Sequence, residues 1–210
     1  MEHGGASMVP LPAMGAARRP ATYDDLRKVP DHLVAEILDG ELFVSPRPGS
    51  PHARAASVLG SALIGAFDRP PGDPGTPGGW WLLFEPELQL GPDVIVPDLA
   101  GWRRERMPAI RNVAAFTQAP DWVCEVISPS TGVIDRSRKM RIYARERVEH
   151  LWIVDPILRT VEVYRLEGER WIVAATHGGD DPARLEPFEA AELDVGRWWL
   201  EPAATAAAEG

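Results

Sequence analysis

Three carboxylates interrupt apolar stretches of the sequence, where an unpaired negative charge is costly to bury. Glu125 interrupts the run WVCEVI, Asp98 follows VIVP, and Glu36 interrupts VAEIL. Because side chains alternate along a strand, Glu125 is expected to share a face with the apolar residues Val123 and Ile127. Each of the three carboxylates therefore needs a cation, a hydrogen-bond donor or a metal ion.

If the strands that carry Asp98 and Glu125 are neighbours, their carboxylates converge near the strand ends. Such a pair suits Mg²⁺, which takes one or two carboxylates, keeps several waters and leaves positions for a phosphate. A bound ion lowers the pKa of its water and stabilises charge on phosphoryl oxygens. The pair therefore predicts a metal site for phosphoryl chemistry, and Glu36 is a third candidate ligand.

The segment after Glu125 supplies basic residues. Lys139 and Tyr143 are four residues apart, so on a helix they share a face. A lysine beside the metal can position or deprotonate the attacking water, or neutralise the transition state. Four arginines that could contact a phosphate backbone surround them, namely Arg136, Arg138, Arg141 and Arg145.

Each candidate also has a purely structural interpretation. Glu125 could form an ion pair with an arginine, since buried charges are usually paired. Asp98 could be a turn or cap residue after proline, and Lys139 could be a solvated helix residue. His52, near a helix start, could be a cap, a phosphate contact or a residue at the edge of the core, and Tyr143 could serve packing alone. The residue pattern leaves these alternatives open.

The pattern of the chain predicts one α/β domain with a mixed sheet flanked by helices. Asp39-Gly40 predicts a hairpin turn between residues 33–38 and a strand at 41–44. Further strands are predicted at 80–90, 94–102, 122–127, 151–154, 160–165 and 170–175. Helices are predicted from Thr22 to about Lys28, over 51–67, and from an Asp135 cap to about Arg147.

The domain is expected to span residues 21–200 and to contain a Pro/Gly-rich surface loop at 69–79. Residues 1–20 and 201–210 are expected to be flexible tails. The single cysteine, Cys124, rules out an internal disulfide and fits a reducing cytoplasm. No apolar run approaches the roughly 20 residues that span a bilayer. We therefore expect a cytoplasmic protein without a membrane segment.

The formal net charge of −9 argues against broad electrostatic binding to nucleic acid, which requires clustered lysines and arginines. It leaves room for a local basic strip beside an acidic metal site. Carboxylates gathered to bind a metal also make the total charge more negative.

At its polar motifs, the sequence resembles the Uma2 family, formerly the domain of unknown function DUF820, in the PD-(D/E)XK nuclease superfamily. The resemblance covers about residues 21–200. The matching pieces are EILDGEL from Glu36, then His52, PDL around Asp98, EVISPST from Glu125, Asp135 with Lys139 and Tyr143, EHLWIVDP from Glu149, and VEVY from Val161.

The resemblance implies a restriction-endonuclease-like fold with helices on both sides of a mixed central sheet. It implies metal ligation by Asp98 and Glu125, with Glu36 assisting. The superfamily pattern places a lysine two residues after the glutamate, where this chain has Ile127. Lys139 on the following helix is therefore the candidate lysine.

The implied function is hydrolysis of phosphodiester bonds by an endonuclease that uses Mg²⁺ or Mn²⁺, with DNA as the expected nucleic acid. Glu36, Asp98, Glu125 and Lys139 form the expected catalytic set. His52 and Tyr143 are candidate accessory residues.

Two further hypotheses follow from the sequence. The negative net charge and the lack of an attached specificity domain would also fit a catalytically silent nuclease-fold module that binds nucleic acid or protein. A homodimer formed through the tryptophan-rich strands is another expectation, since many nucleases cut duplexes as pairs.

Overall fold

The structure is a computed structural model that describes residues 19–129 and 131–201. Within those residues, a six-stranded mixed sheet and a four-stranded antiparallel sheet carry the fold. The predicted α/β class, with a mixed sheet and flanking helices, is confirmed, and the four-stranded sheet is an addition to it. Most of the two expected tails, residues 1–18 and 202–210, lies outside the described part of the chain, as does Ser130.

The strands are β1 Leu33–Leu38, β2 Glu41–Pro46, β3 Trp80–Phe84, β4 Leu88–Leu90, β5 Asp93–Ile95, β6 Leu99–Arg103, β7 Trp122–Val126, β8 His150–Asp155, β9 Thr160–Glu167 and β10 Arg170–Gly178. The helical segments are α1 Tyr23–Leu26, α2 Ser50–Phe67, α3 Gly132–Ile134, a π-helical turn Asp135–Lys139, α4 Met140–Arg145 and a 3₁₀ turn Val195–Trp198. The six-stranded sheet has the order β10-β9-β8-β7-β6-β3, and the four-stranded sheet has the order β2-β1-β5-β4.

The turn between β1 and β2 follows directly from the pair Asp39-Gly40. Their φ values are 53° and 78°, and two positive φ values are what a two-residue hairpin turn requires. The register places Glu36 opposite Phe43. The predicted hairpin is therefore present, and Glu36 lies in a strand.

Two stretches predicted as single strands each divide into two. Residues 80–90 divide into β3 and β4 around Glu85, and residues 94–102 divide into β5 and β6 around Pro97. The prediction of continuous strands was wrong because a proline at each break has no N–H to donate to a sheet. In addition, Glu85 adopts a positive φ of 43°. At the breaks the chain passes between the sheets, since β3 pairs with β6 and β4 pairs with β5.

The two breaks are joined to each other at a corner between the sheets. Glu85 N–H donates a hydrogen bond of 3.0 Å to the carbonyl oxygen of Asp98. Asp98 therefore lies between β5 and β6. It is not part of the single strand predicted over residues 94–102, because β5 ends at Ile95 and β6 begins at Leu99.

The helix after β7 begins earlier than predicted and is less regular. Its first segment, α3, starts at Gly132 with Thr131 at the N-cap, so the prediction that Asp135 caps the helix was wrong. Asp135 instead opens the π-helical turn, in which Met140 N–H bonds to the Asp135 carbonyl oxygen. Such turns occur mostly as single-turn insertions in α-helices, frequently at functional sites.

Helices α2 and α4 cover opposite faces of the six-stranded sheet. Leu63 of α2 lies in one buried cluster with Cys124, and Ile142 of α4 lies in another with Val123. Side chains alternate along β7, so Glu125 shares the α4-facing side with Val123, with which it was predicted to share a face, and Cys124 lies on the opposite side. Among the described residues, no helix combines the length and the apolar character needed to cross a membrane.

Two glycines of α2 offer a paired test of this packing. A Cβ added at Gly60 would lie 2.1 Å from Phe84 Cζ and 2.9 Å from Leu99 Cδ2, whereas one at Gly65 would meet nothing within 4 Å. We expect Gly60→Ala to lower the free energy of unfolding by about 1–3 kcal/mol through overpacking. Gly65→Ala should raise it by about 0.5–1 kcal/mol through helix propensity. Urea unfolding of both variants measures the contrast, and equal effects would contradict the close approach of α2 to β3 and β6.

Candidate active site

The antiparallel pairing of β6 with β7 places Asp98 beside Glu125. Leu99 lies opposite Cys124 in the register, and Val126 N–H donates a hydrogen bond of 2.7 Å to Asp98 Oδ2. Both carboxylates line one cavity of about 220 Å³. The structure therefore brings together the two residues that the sequence singled out as a metal-binding pair.

Glu36 reaches the same cavity from the four-stranded sheet. Its strand is positioned by the pairing of Ile37 in β1 with Val94 in β5. Val96 N–H then donates a hydrogen bond of 2.8 Å to Glu36 Oε1. The cavity thus lies where the two sheets meet, and each sheet supplies a carboxylate to it.

Lys139 is 5% exposed, and its ammonium lies among three carboxylates. Lys139 Nζ is 3.0 Å from Glu36 Oε1, 3.3 Å from Glu125 Oε2 and 3.3 Å from Asp135 Oδ1. Burial alone lowers the pKa of Lys139, but the negative charges of Glu125, Glu36 and Asp135 outweigh that effect and hold it well above its usual value. The lysine is therefore a buried cation and not a solvated helix residue.

Five carboxylates line the cavity, namely Glu36, Glu85, Asp98, Glu125 and Asp135, together with two cationic side chains, Lys139 and Arg47. Negative charge therefore exceeds positive charge in the cavity. Burial raises the pKa of Glu125 well above its usual value. Lys139 opposes that rise, and the neighbouring carboxylates add to it. Burial also raises the pKa of Glu36 and of Asp135. The cavity would therefore be stabilised by additional positive charge.

His52 and Tyr143 each contact one of the central carboxylates. His52 Nε2 lies 3.0 Å from Asp98 Oδ1, and His52 lines the cavity from the first turn of α2. Tyr143 donates a hydrogen bond of 2.5 Å from its hydroxyl to Glu125 Oε1. Because Tyr143 is fully buried and does not line the cavity, it contacts Glu125 from the protein interior.

Asp135 is a cavity residue that the sequence marked as a helix cap and as part of the family motif, but not as a residue of the site. It is 2% exposed, and it faces Lys139 from the π-helical turn. The spacing of four between Asp135 and Lys139 was a usable signal, because residues at i and i+4 are neighbours on a helix surface. The sequence alone could not show that this surface is turned inward.

The donor set fits a divalent cation held by few protein ligands. Asp98 and Glu125 supply adjacent carboxylate oxygens, and the excess negative charge of the cavity favours a cation. Among residues 19–129 and 131–201, no three His, Cys, Asp or Glu side chains are arranged to hold a metal ion together. Two carboxylates completed by water are the arrangement that Mg²⁺ commonly uses in proteins.

The arginines beside Lys139 are paired with acidic residues of neighbouring strands and of the hairpin turn. These pairs are Arg136 with Glu162, Arg138 with Glu41, Arg141 with Asp39, and Arg145 with Asp93. Their contact with a phosphate backbone stays a prediction. In this structure, they tie the helix to both sheets.

The tryptophans belong mainly to the interior. All eight lie in the described residues, and six are buried, including Trp198 and Trp199 near the C-terminal end. Trp152 packs edge-on against Trp122 with ring centroids 5.2 Å apart. A homodimer stays a prediction, but the buried tryptophans could not supply its surface.

Comparison with known proteins agrees with this architecture. The family model Uma2, described as "Putative restriction endonuclease", matches residues 20–196. A solved structure described as a "putative nuclease belonging to DUF820" from Anabaena variabilis ATCC 29413 is similar, with a TM-score of 0.66 and 23% sequence identity. The alignment covers 86% of this chain and 100% of that chain, and at this identity the likeness shows the fold. Comparison with curated proteins gives no match.

The raised pKa values predict an unusual pH dependence of stability in the absence of metal. The pKa of Glu125 has an ordinary value of 4.5 and is raised in the folded protein. The contribution of the protonated side chain to folding stability is therefore complete below pH 4.5. It is lost as the pH rises through the folded-state value. We expect Glu125→Gln to unfold at a higher temperature than the wild type at pH 8, because glutamine reproduces the neutral form of the side chain that burial favours.

The difference in unfolding temperature between the wild type and Glu125→Gln should be smaller at pH 5, where the carboxylate of the unfolded chain is itself partly protonated. Thermal unfolding in EDTA at the two pH values measures it. A wild type that is more stable than the variant at pH 8, without metal, would contradict the charge imbalance described above.

Proposed function

The chain belongs to the Uma2 family, and on that premise we propose that it is a divalent-metal-dependent nuclease that hydrolyses phosphodiester bonds of nucleic acid, with DNA as the expected substrate. The observation that carries the proposal is the placement of Asp98 beside Glu125, with the Lys139 ammonium 3.3 Å from Glu125 Oε2. Adjacent carboxylates and a buried ammonium are the groups that stabilise charge in phosphoryl transfer.

Asp98 and Glu125 would hold Mg²⁺ or Mn²⁺, and Glu36 would assist from the four-stranded sheet. When bound, such an ion activates water at neutral pH and stabilises the charge that develops on phosphoryl oxygens. The two carboxylates are held for this role by Val126 N–H on Asp98 and by the Tyr143 hydroxyl on Glu125.

Lys139 is proposed to act as a fixed positive charge and hydrogen-bond donor. Its raised pKa keeps it protonated at neutral pH, which favours positioning water or stabilising phosphate charge over deprotonating the attacking water. Its ammonium already lies beside Glu125, so little reorganisation would be needed when a phosphate arrives.

His52 is proposed to orient Asp98 through the contact of its Nε2 with Oδ1. It also lines the cavity, so it can contact a phosphate oxygen. At the mouth of the cavity, Arg47 is 3.7 Å from Glu85 and has a side chain that is 58% exposed. A side chain so placed can attract a phosphate without a broad basic surface.

We further expect the protein to act in the cytoplasm, where Cys124 stays reduced.

The proposal predicts cleavage that requires both the metal and the paired carboxylates. Purified protein should cut single- or double-stranded DNA, or RNA, with Mg²⁺ or Mn²⁺ and not with EDTA. Asp98→Ala and Glu125→Ala should each lower the rate more than about 100-fold, the loss that even outer-shell partners can cause. Glu169→Gln, a change at a side chain that is 85% exposed, is the matched control and should leave the rate unchanged.

Metal-dependent cleavage that survives both alanine variants would sink the assignment of the site. Calorimetric titration with Mn²⁺ provides a second arm, because it needs no substrate. Folded wild-type protein that binds no Mn²⁺ would contradict the proposal and favour a catalytically silent nuclease-fold module.

Tyr143 gives a separate test, since it touches Glu125 without reaching the cavity. Tyr143→Phe removes only the hydroxyl that holds Glu125 Oε1. We expect it to weaken Mn²⁺ binding or activity by about 10- to 100-fold, as loss of an outer-shell hydrogen bond does. Tyr164→Phe, which removes a hydroxyl bonded to Glu162, is the control. Equal effects of the two changes on Mn²⁺ affinity would speak against a role for Tyr143 in orienting Glu125.

A further inference from the structure

Asp135 lies inside the candidate site but has no role in the metal pair. It lines the cavity, and its Oδ1 is 3.3 Å from Lys139 Nζ. Asp135 N–H also donates a hydrogen bond of 3.0 Å to the carbonyl oxygen of Thr131, the N-cap of α3. Asp135 is therefore held between the start of α3 and the ammonium.

The three carboxylates around Lys139 differ in what else they contact. The pairing of β6 with β7 places Glu125 beside Asp98. A cation bound between these two residues would therefore compete with the Lys139 ammonium for Glu125. Asp135, which has no assigned part in metal binding, would still be available to Lys139 under that competition. Asp135 shares the helix of Lys139, whereas Glu36 lies on the other sheet.

The π-helical turn places Asp135 and Lys139 on the inward side together. In a regular α-helix of 3.6 residues per turn, residues spaced four apart lie progressively further around the helix axis, so three of them in succession do not share one direction. A π turn has more residues per turn, which reduces this displacement from Asp135 through Lys139 to Tyr143. Asp135 can then meet the ammonium while Tyr143 still reaches Glu125.

We propose that Asp135 is a positioning residue of the nuclease site: its carboxylate holds the Lys139 ammonium beside the Asp98–Glu125 pair when that pair is occupied by a divalent cation. The proposal rests on the proposed function for its kinetic consequence, but the position of the ammonium can be measured without substrate. Asp135 acts through Lys139, so it is not assigned as a metal ligand.

The test uses Asp135→Asn in the full chain, with Glu146→Gln as the matched control. Glu146 lies on the same stretch of helix and pairs with Arg145, away from Lys139. The ¹H–¹⁵N signal of the buried Lys139 ammonium reports its position in metal-free and Mg²⁺-bound protein. We expect the signal to shift or broaden in Asp135→Asn, to stay unchanged in Glu146→Gln, and to be partly restored in Asp135→Glu.

Kinetics and calorimetry separate positioning from metal binding. We expect Asp135→Asn to lower kcat by about 10-fold or more, with KM and the Mn²⁺ dissociation constant within about threefold of wild type. In a Lys139→Gln background, Asp135→Asn should add less than about a threefold loss, because a residue that acts only through Lys139 has nothing left to position.

Two results would overturn the proposal. A loss of Mn²⁺ affinity of more than about 100-fold in Asp135→Asn, beyond what an outer-shell partner causes, would make Asp135 a metal ligand. An unchanged ammonium signal together with an unchanged kcat would make it a structural residue only. If the wild type cleaves no nucleic acid, the proposed function fails by itself, and the ammonium signal still supports or overturns the role of Asp135.

Discussion

The ion cluster around the buried ammonium of Lys139 is the interaction on which the candidate site depends. Three buried carboxylates contact this ammonium: one from each sheet and one from the helix that carries the lysine. Charges removed from water are costly unless they are paired and hydrogen-bonded, and breaking a buried pair leaves an uncompensated charge. The ion cluster therefore specifies how the two sheets and the helix must meet.

The meeting of the sheets is made possible by two strand breaks at prolines. At the breaks around Glu85 and Pro97, the chain leaves one sheet and enters the other, and the bond from Glu85 N–H to the Asp98 carbonyl holds the corner. Asp98 therefore lies outside a regular strand, and its side chain accepts a hydrogen bond from Val126 N–H in β7. The corner that interrupts regular structure is also the place where carboxylates gather, as is common at functional sites.

The helix that carries Lys139 is joined to the hairpin and to the strands around it by ion pairs, most of them partly exposed. The pairs on the side of the four-stranded sheet are Arg138–Glu41, Arg141–Asp39 and Arg145–Asp93. Single exposed pairs contribute little to stability, but several on one helix fix its orientation. They also occupy the basic side chains near the candidate site, so few cations close to Asp98 and Glu125 are unpaired in the part of the chain that the structure describes.

The sequence by itself determined the α/β class, the Asp39-Gly40 hairpin, the helix at 51–67 and the buried strand around Glu125, because each depends on local turn chemistry or side-chain periodicity. It also marked Asp98 and Glu125 through charge placed in apolar runs and through the family motif, and Lys139 mainly through the family motif. Only the tertiary structure decided that Asp98 lies at a corner between sheets, that Asp135 faces inward, and that Lys139 bridges Glu36 and Glu125. Those facts depend on pairings between segments far apart in the chain, and local pattern carries no information about which distant carboxylates will share one buried cation.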